Sequence, residues 1–166
     1  MCKGFKIFFV LIVLLSSVFS HSLNAQNRMD SLLTIKKLIQ KHNTISTADV
    51  GLISSPSRHW CAFVYALYLA NTEELRQMTY DTSAALRIYA YAGLVHYKNP
   101  DLKNIKKKLY NDNGTVQTHF GCINGKPIDV ANGTKQFIKM NSKGNEINRL
   151  LLLLKNDEKF RTQLYD

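Results

Sequence analysis

The run from Trp60 to Leu69 (WCAFVYALYL) is apolar or aromatic on nearly every side of a helix. A helix without a polar face is stable only when neighbours cover it all round. The stretch must therefore lie inside a shell built from the rest of the chain. Ser55-Pro56-Ser57 opens this helix, with serine as cap and proline tolerated in the first turn.

The shell reads mainly as further helices. From Arg28 to Lys41 the apolar positions Met29, Leu32, Leu33, Ile35, Leu38 and Ile39 fall mostly at helical spacing, with Asp30 in the first turn. Thr72 followed by Glu73 and Glu74 predicts a cap and a short helix to about Tyr80. Asp81-Thr82-Ser83 opens another over about Ala84 to Tyr97, and Asn99-Pro100-Asp101 opens a fifth from Leu102 to Tyr110. Helix returns from about Asn145 to Leu154, and Asp157 to Leu164 predicts a last short one. Two stretches do not fit. His42 to Ser54 mixes turn and apolar residues and reads as a connection. Residues 113–140, broken by Gly114, Gly121, Gly125 and Gly133, read as a loop-rich excursion or a β-hairpin turning at Asn124-Gly125. Asn113-Gly114-Thr115 and Asn132-Gly133-Thr134 match a glycosylation pattern and are read as turns.

An internal repeat organises the helices. Arg58 to Asp81 and Arg87 to Asp112 share a plan: arginine, an aromatic-alanine helix, asparagine before a Thr or Pro cap, then a shorter basic helix. Paired helices recurring at such an interval mark solenoid modules. Asp81 to Leu94 (DTSAALRIYAYAGL) resembles the first helix of HEAT-like repeats, and Asn99-Pro100-Asp101-Leu102 resembles the turn before their second. With Val116 to Cys122 (VQTHFGC) after such a pair, the chain is similar to small exported Bacteroidota proteins of unassigned function. The resemblance covers about two repeat units, residues 56–81 and 82–112. It implies a mainly α fold, a short right-handed stack of antiparallel helix pairs (an α-α superhelix) with the 113–140 excursion, and no known chemistry.

The N-terminus bears on compartment. Lys3 and Lys6 precede the apolar run Ile7 to Leu15, extended to Phe19, and Leu23-Asn24-Ala25 supplies a small residue for cleavage. This predicts a signal peptide over residues 1–25, cut after Ala25, leaving one domain over 26–166 that is periplasmic or secreted. The run is too short for a stable transmembrane helix. Cleavage removes Lys3, Lys6 and Cys2, so the formal charge of +10 falls to about +8. In that compartment such a charge favours an anionic envelope component or an acidic protein as partner, and not nucleic acid. The tight run Lys106-Lys107-Lys108 reads as a solvated helix face.

Cys61 and Cys122 remain. Either they pair, closing a loop of about 60 residues worth roughly 3–4 kcal/mol, or Cys61 is a buried small hydrophobe. Trp60-Cys61-Ala62-Phe63-Val64 is also similar to the nucleophile segment of CHAP-type cell-wall amidases, which implies Cys61 as nucleophile with His119 as its base. The Gly-His pair expected at the start of the following sheet is missing, and helices replace several of the strands. His119 and Cys122 lack the further ligands that zinc needs. The tyrosines that could line a sugar groove fall mostly at core spacing. Arg58 and Arg87 occupy matching places in the two units, either paired with Asp81 and Asp112 or projecting with Tyr89 as a binding surface. No cofactor is called for. The expectation is a non-enzymatic exported scaffold binding a protein or an envelope component, the alternative being a cysteine-dependent amidase or peptidase.

Overall fold

A computed structural model of the chain describes residues 25–50, 55–121, 123–141 and 146–156. The signal-peptide reading of residues 1–24, Cys122 and the helix expected over Asp157 to Leu164 lie outside them. The described elements run α1 (residues 25–42), β1 (Thr44–Val50), β2 (Ser55–Pro56), α2 (Arg58–Leu69), α3 (Thr72–Met78), α4 (Ala84–His96), α5 (Leu102–Tyr110), β3 (Thr115–Gly121), β4 (Ile123–Asp129), α6 (Val130–Asn141) and α7 (Glu146–Asn156). The protein is mainly helical with one small sheet, ordered β2-β1-β3-β4.

The helix starts follow local chemistry. The Ser57 hydroxyl accepts the Trp60 N–H at 3.3 Å to cap α2, and Pro56 lies ahead of the helix in β2. At α3 the cap is Asn71, one residue before the expected Thr72. Its side chain accepts the Glu74 N–H at 2.9 Å, while the Glu74 carboxylate accepts the Asn71 N–H at 2.7 Å. This reciprocal box satisfies two otherwise orphaned donors. Ser83 caps α4, which is buried from Ala84 to Leu94.

The helices surround an aromatic centre. Phe63 of α2 stacks on Tyr89 of α4 at 4.8 Å between ring centroids, and Phe137 of α6 meets Phe63, Tyr89 and Trp60 at 5.3, 5.1 and 5.9 Å. Each such side chain contributes roughly 1.5–3 kcal/mol by leaving water. One contiguous apolar cluster extends from Leu32 in α1 to Leu154 in α7.

The sheet corrects the reading of both irregular stretches. Residues 44–50 form a strand instead of a plain connection. β1 pairs in parallel with β3 (Ile45 opposite Thr118, Ser46 opposite His119) and antiparallel with the short β2. Within 113–140 there is a hairpin, but its reversal falls between paired Phe120 and Ile123, where Gly121 adopts the left-handed φ of 61°. Asn124 and Gly125 lie within β4, opposite His119 and Thr118. From Val130 the excursion is the regular helix α6, so Asn132-Gly133-Thr134 is helical. α2, α4 and α6 pack against β1, and α4 and α6 reach β3.

Candidate functional site

The structure places the two arginines in different settings. Arg58 is exposed on the first turn of α2 and forms no ion pair among the described residues. Arg87 lies one turn into α4, buried, with its Nε 2.7 Å and its Nη2 3.0 Å from the two carboxylate oxygens of Asp112. Arg87 Nη1 donates to the carbonyls of Asp81 and Thr82 at 2.7 and 2.8 Å. The Asp112 carboxylate also accepts the Gly114 N–H at 2.8 Å. The group therefore latches the start of α4 to the turn between α5 and β3. The Asp81 carboxylate takes different partners: both of its oxygens accept from Gln40 Nε2 at 3.0 Å, and its Oδ1 also accepts the Ser83 N–H at 2.9 Å.

Tyr89 is also internal. Its hydroxyl donates to the Thr44 carbonyl at 3.1 Å and accepts the Ser46 N–H at 3.2 Å, tying α4 to β1. Complete burial pushes its pKa well up.

Cys61 is half-buried in α2, its N–H bonded to the Ser57 carbonyl at 2.9 Å. No disulfide forms among the described residues. His119 stands in β3, part of a group of imidazoles. His42, the last residue of α1, meets His59 of α2 edge to face at 5.1 Å. Burial chiefly, then the charges of His42 and His119, hold His59 below its usual pKa. Among the described residues, no three His, Cys, Asp or Glu side chains are grouped so as to hold a metal ion.

A second cationic region lies outside. α5 exposes Lys103, Lys106, Lys107 and Lys108 over the buried stripe Ile105 and Leu109. α6, packed beside it, exposes Lys135 and Lys139. Neither helix contains an acidic residue. Tyr110 joins them, with Lys106 Nζ 5.3 Å and Lys135 Nζ 5.1 Å from its ring centroid. Lys108 Nζ sits 3.2 Å from the centroid of exposed Tyr80 and donates to the Thr79 carbonyl at 3.3 Å. The ring faces attract these ammonium groups without neutralising them. Burial, then the nearby Arg87, lowers the Lys108 pKa, and Asp112 opposes the shift.

The lysine run on α5 was visible in the sequence, but its alliance with α6 through Tyr110 was not. Tyr110, two residues after the run Lys106-Lys107-Lys108, was the available signal. Comparison of the chain with protein-family models, curated proteins and solved structures gives no match.

Proposed function

We propose that this chain is an exported, non-enzymatic helical scaffold that binds an anionic component of the cell envelope through the joined α5 and α6 face. In this reading α2–α3 and α4–α5 are two HEAT-like units. The observation that carries it is the pair of basic helices, neither with an acidic residue of its own, bridged by Tyr110, where Lys106 and Lys135 share one ring; Asp129, just before α6, is an acid that feels the Lys135 charge. Each lysine held near an anionic surface contributes about 1 kcal/mol. Export rests on the two lysines and apolar run before Ala25. No helix among the described residues is long and apolar enough to cross a membrane.

The test is co-sedimentation of protein recovered after export with phosphatidylglycerol-containing vesicles. Binding is expected to fall steeply as salt rises from about 50 to about 300 mM. Replacing Lys106, Lys107 and Lys135 together by Gln is expected to weaken it on the order of 100-fold. Equal binding to neutral phosphatidylcholine vesicles overturns the reading. The intact mass of the recovered protein is expected to begin at Gln26.

A further inference from the structure

Asparagine is followed by glycine at Asn113-Gly114, Asn124-Gly125 and Asn132-Gly133. Such pairs are the most prone to spontaneous deamidation, because a glycine nitrogen, with no side chain beside it, readily reaches the asparagine amide carbon. The first and third pairs are both followed by threonine, and Asn113 and Asn132 are both exposed. Sequence and exposure do not separate these two sites, but their surroundings do.

Asn132 is fixed in the first turn of α6. Its N–H donates to Asp129 Oδ1 at 2.8 Å and its Nδ2 to Asp129 Oδ2 at 2.7 Å. Helical backbone keeps the following nitrogen away from the side-chain carbonyl carbon, and Gly133 is buried. Asn124 stands in β4, where extended, paired backbone is equally unsuited to ring closure. Asn113 lies between α5 and β3, outside helix and strand, and among the described residues its side chain makes no hydrogen bond.

What is held there is the next nitrogen. Gly114 N–H donates to Asp112 Oδ1 at 2.8 Å, and Arg87 grips both oxygens of that carboxylate. The Gly114 carbonyl accepts the Val130 N–H at 3.1 Å. A Cβ at position 114 would lie 2.6 Å from Arg87 Nη2. The latch thus requires the glycine that makes Asn113 vulnerable, and it also restrains the nitrogen that would attack.

We propose that Asn113 is a site of spontaneous deamidation whose rate is set by the Arg87–Asp112 latch. When Asp112 releases it, the Gly114 nitrogen gives up its proton and bonds to Asn113 Cγ. The Cγ–Nδ2 bond breaks, and Nδ2 takes up a proton and leaves as ammonia, closing a succinimide ring. Water then opens the ring. Breaking the bond between the Gly114 nitrogen and Cγ yields aspartate, whereas breaking its bond to the main-chain carbonyl carbon yields isoaspartate. The isoaspartate adds one atom to the main chain, so the aged protein cannot seat Gly114 beneath Arg87 as before. The inference is independent of the basic face on α5 and α6.

The test keeps the purified protein at mildly alkaline pH, folded or unfolded in urea, and locates conversion by fragmentation mass spectrometry. In urea, Asn113 and Asn132 are expected to convert at similar rates. In the folded protein Asn113 is expected to convert about 10- to 100-fold more slowly than in urea, the effect of one hydrogen bond to a carboxylate, and Asn132 more slowly still. Exchange of the Gly114 amide proton, followed by NMR, is expected to be slowed by the same factor, since both processes need that N–H released. Replacing Arg87 by Met and Asp112 by Leu together removes the acceptor without stranding a charge. It is expected to bring Asn113 close to its rate in urea and to leave Asn132 unchanged. Conversion of Asn132 ahead of Asn113 in the folded protein, or a freely exchanging Gly114 amide, overturns the proposal. So does a double variant in which Asn113 is no faster, or in which both sites speed up alike.

Discussion

Arg87 and the lysines of the α5 and α6 face are all cations placed near the same turn of the molecule, yet they meet opposite surroundings. Arg87 is buried, and all of its bonds go inward, to one carboxylate and two carbonyls. Lys106 and Lys135 lie over an exposed ring with water still available to them. A charge taken out of water must be neutralised where it stands, so its removal is felt by the fold. A charge left in water contributes little to stability and is free to act on a partner.

The largest effect is expected at the buried pair. Asp112→Ala leaves the Arg87 charge uncompensated and is expected to cost about 3–5 kcal/mol in urea unfolding. Replacing Arg87 by Met and Asp112 by Leu together is expected to recover most of that loss. Should the two changes prove equally costly, the latch is more than a neutralised pair.

Tyr89→Phe removes the hydroxyl between Thr44 and Ser46 while keeping the stack on Phe63. It is expected to cost about 1–3 kcal/mol, read by the same unfolding measurement. His59 stands between the two regimes, since it becomes a cation only when acid is added. Its folded pKa is lowered, chiefly by burial, so the unfolded chain takes up the proton first. The folded state is then fully favoured above the ordinary histidine value of 6.5. Stability is expected to fall as pH drops through 6.5 towards the lowered folded value, and to level off below it. Urea midpoints measured across this range should show a shallower decline in His59→Gln. At the other extreme, Lys106→Gln with Lys135→Gln is expected to change stability by less than about 0.5 kcal/mol. A larger change measured by thermal melting would show that the outer face also holds the fold together.

The helical part of this arrangement was legible in the sequence because its signals are local. Apolar spacing, serine caps and acidic first turns placed α1 to α5 and α7 close to their observed limits. The sheet depends on residues distant in sequence. Thr44, Ile45 and Thr47 are β-branched, but β1 becomes a strand by pairing with β3, on the other side of four helices. α6 was hidden by its glycine. A Cβ at Gly133 would lie 3.0 Å from both Ile88 Cδ1 and Val116 Cγ1, so the residue that looks like a turn is what lets α6 approach α4 and β3. The candidate face was half legible for the same reason. Lys106 to Lys108 are contiguous, whereas Lys135 joins Tyr110 only after the hairpin brings α6 alongside.

The parallel pairing of β1 with β3 has a consequence for how the chain acquires its structure. A ribosome completes β1 well before it makes β3, so the hydrogen-bonding edge of β1 stands open while α2 to α5 are still emerging. Closing so long a loop is slow compared with forming helices. The helices therefore assemble first and the sheet is completed late, and in that interval the β1 edge is the part of the nascent protein most able to pair with a neighbouring chain.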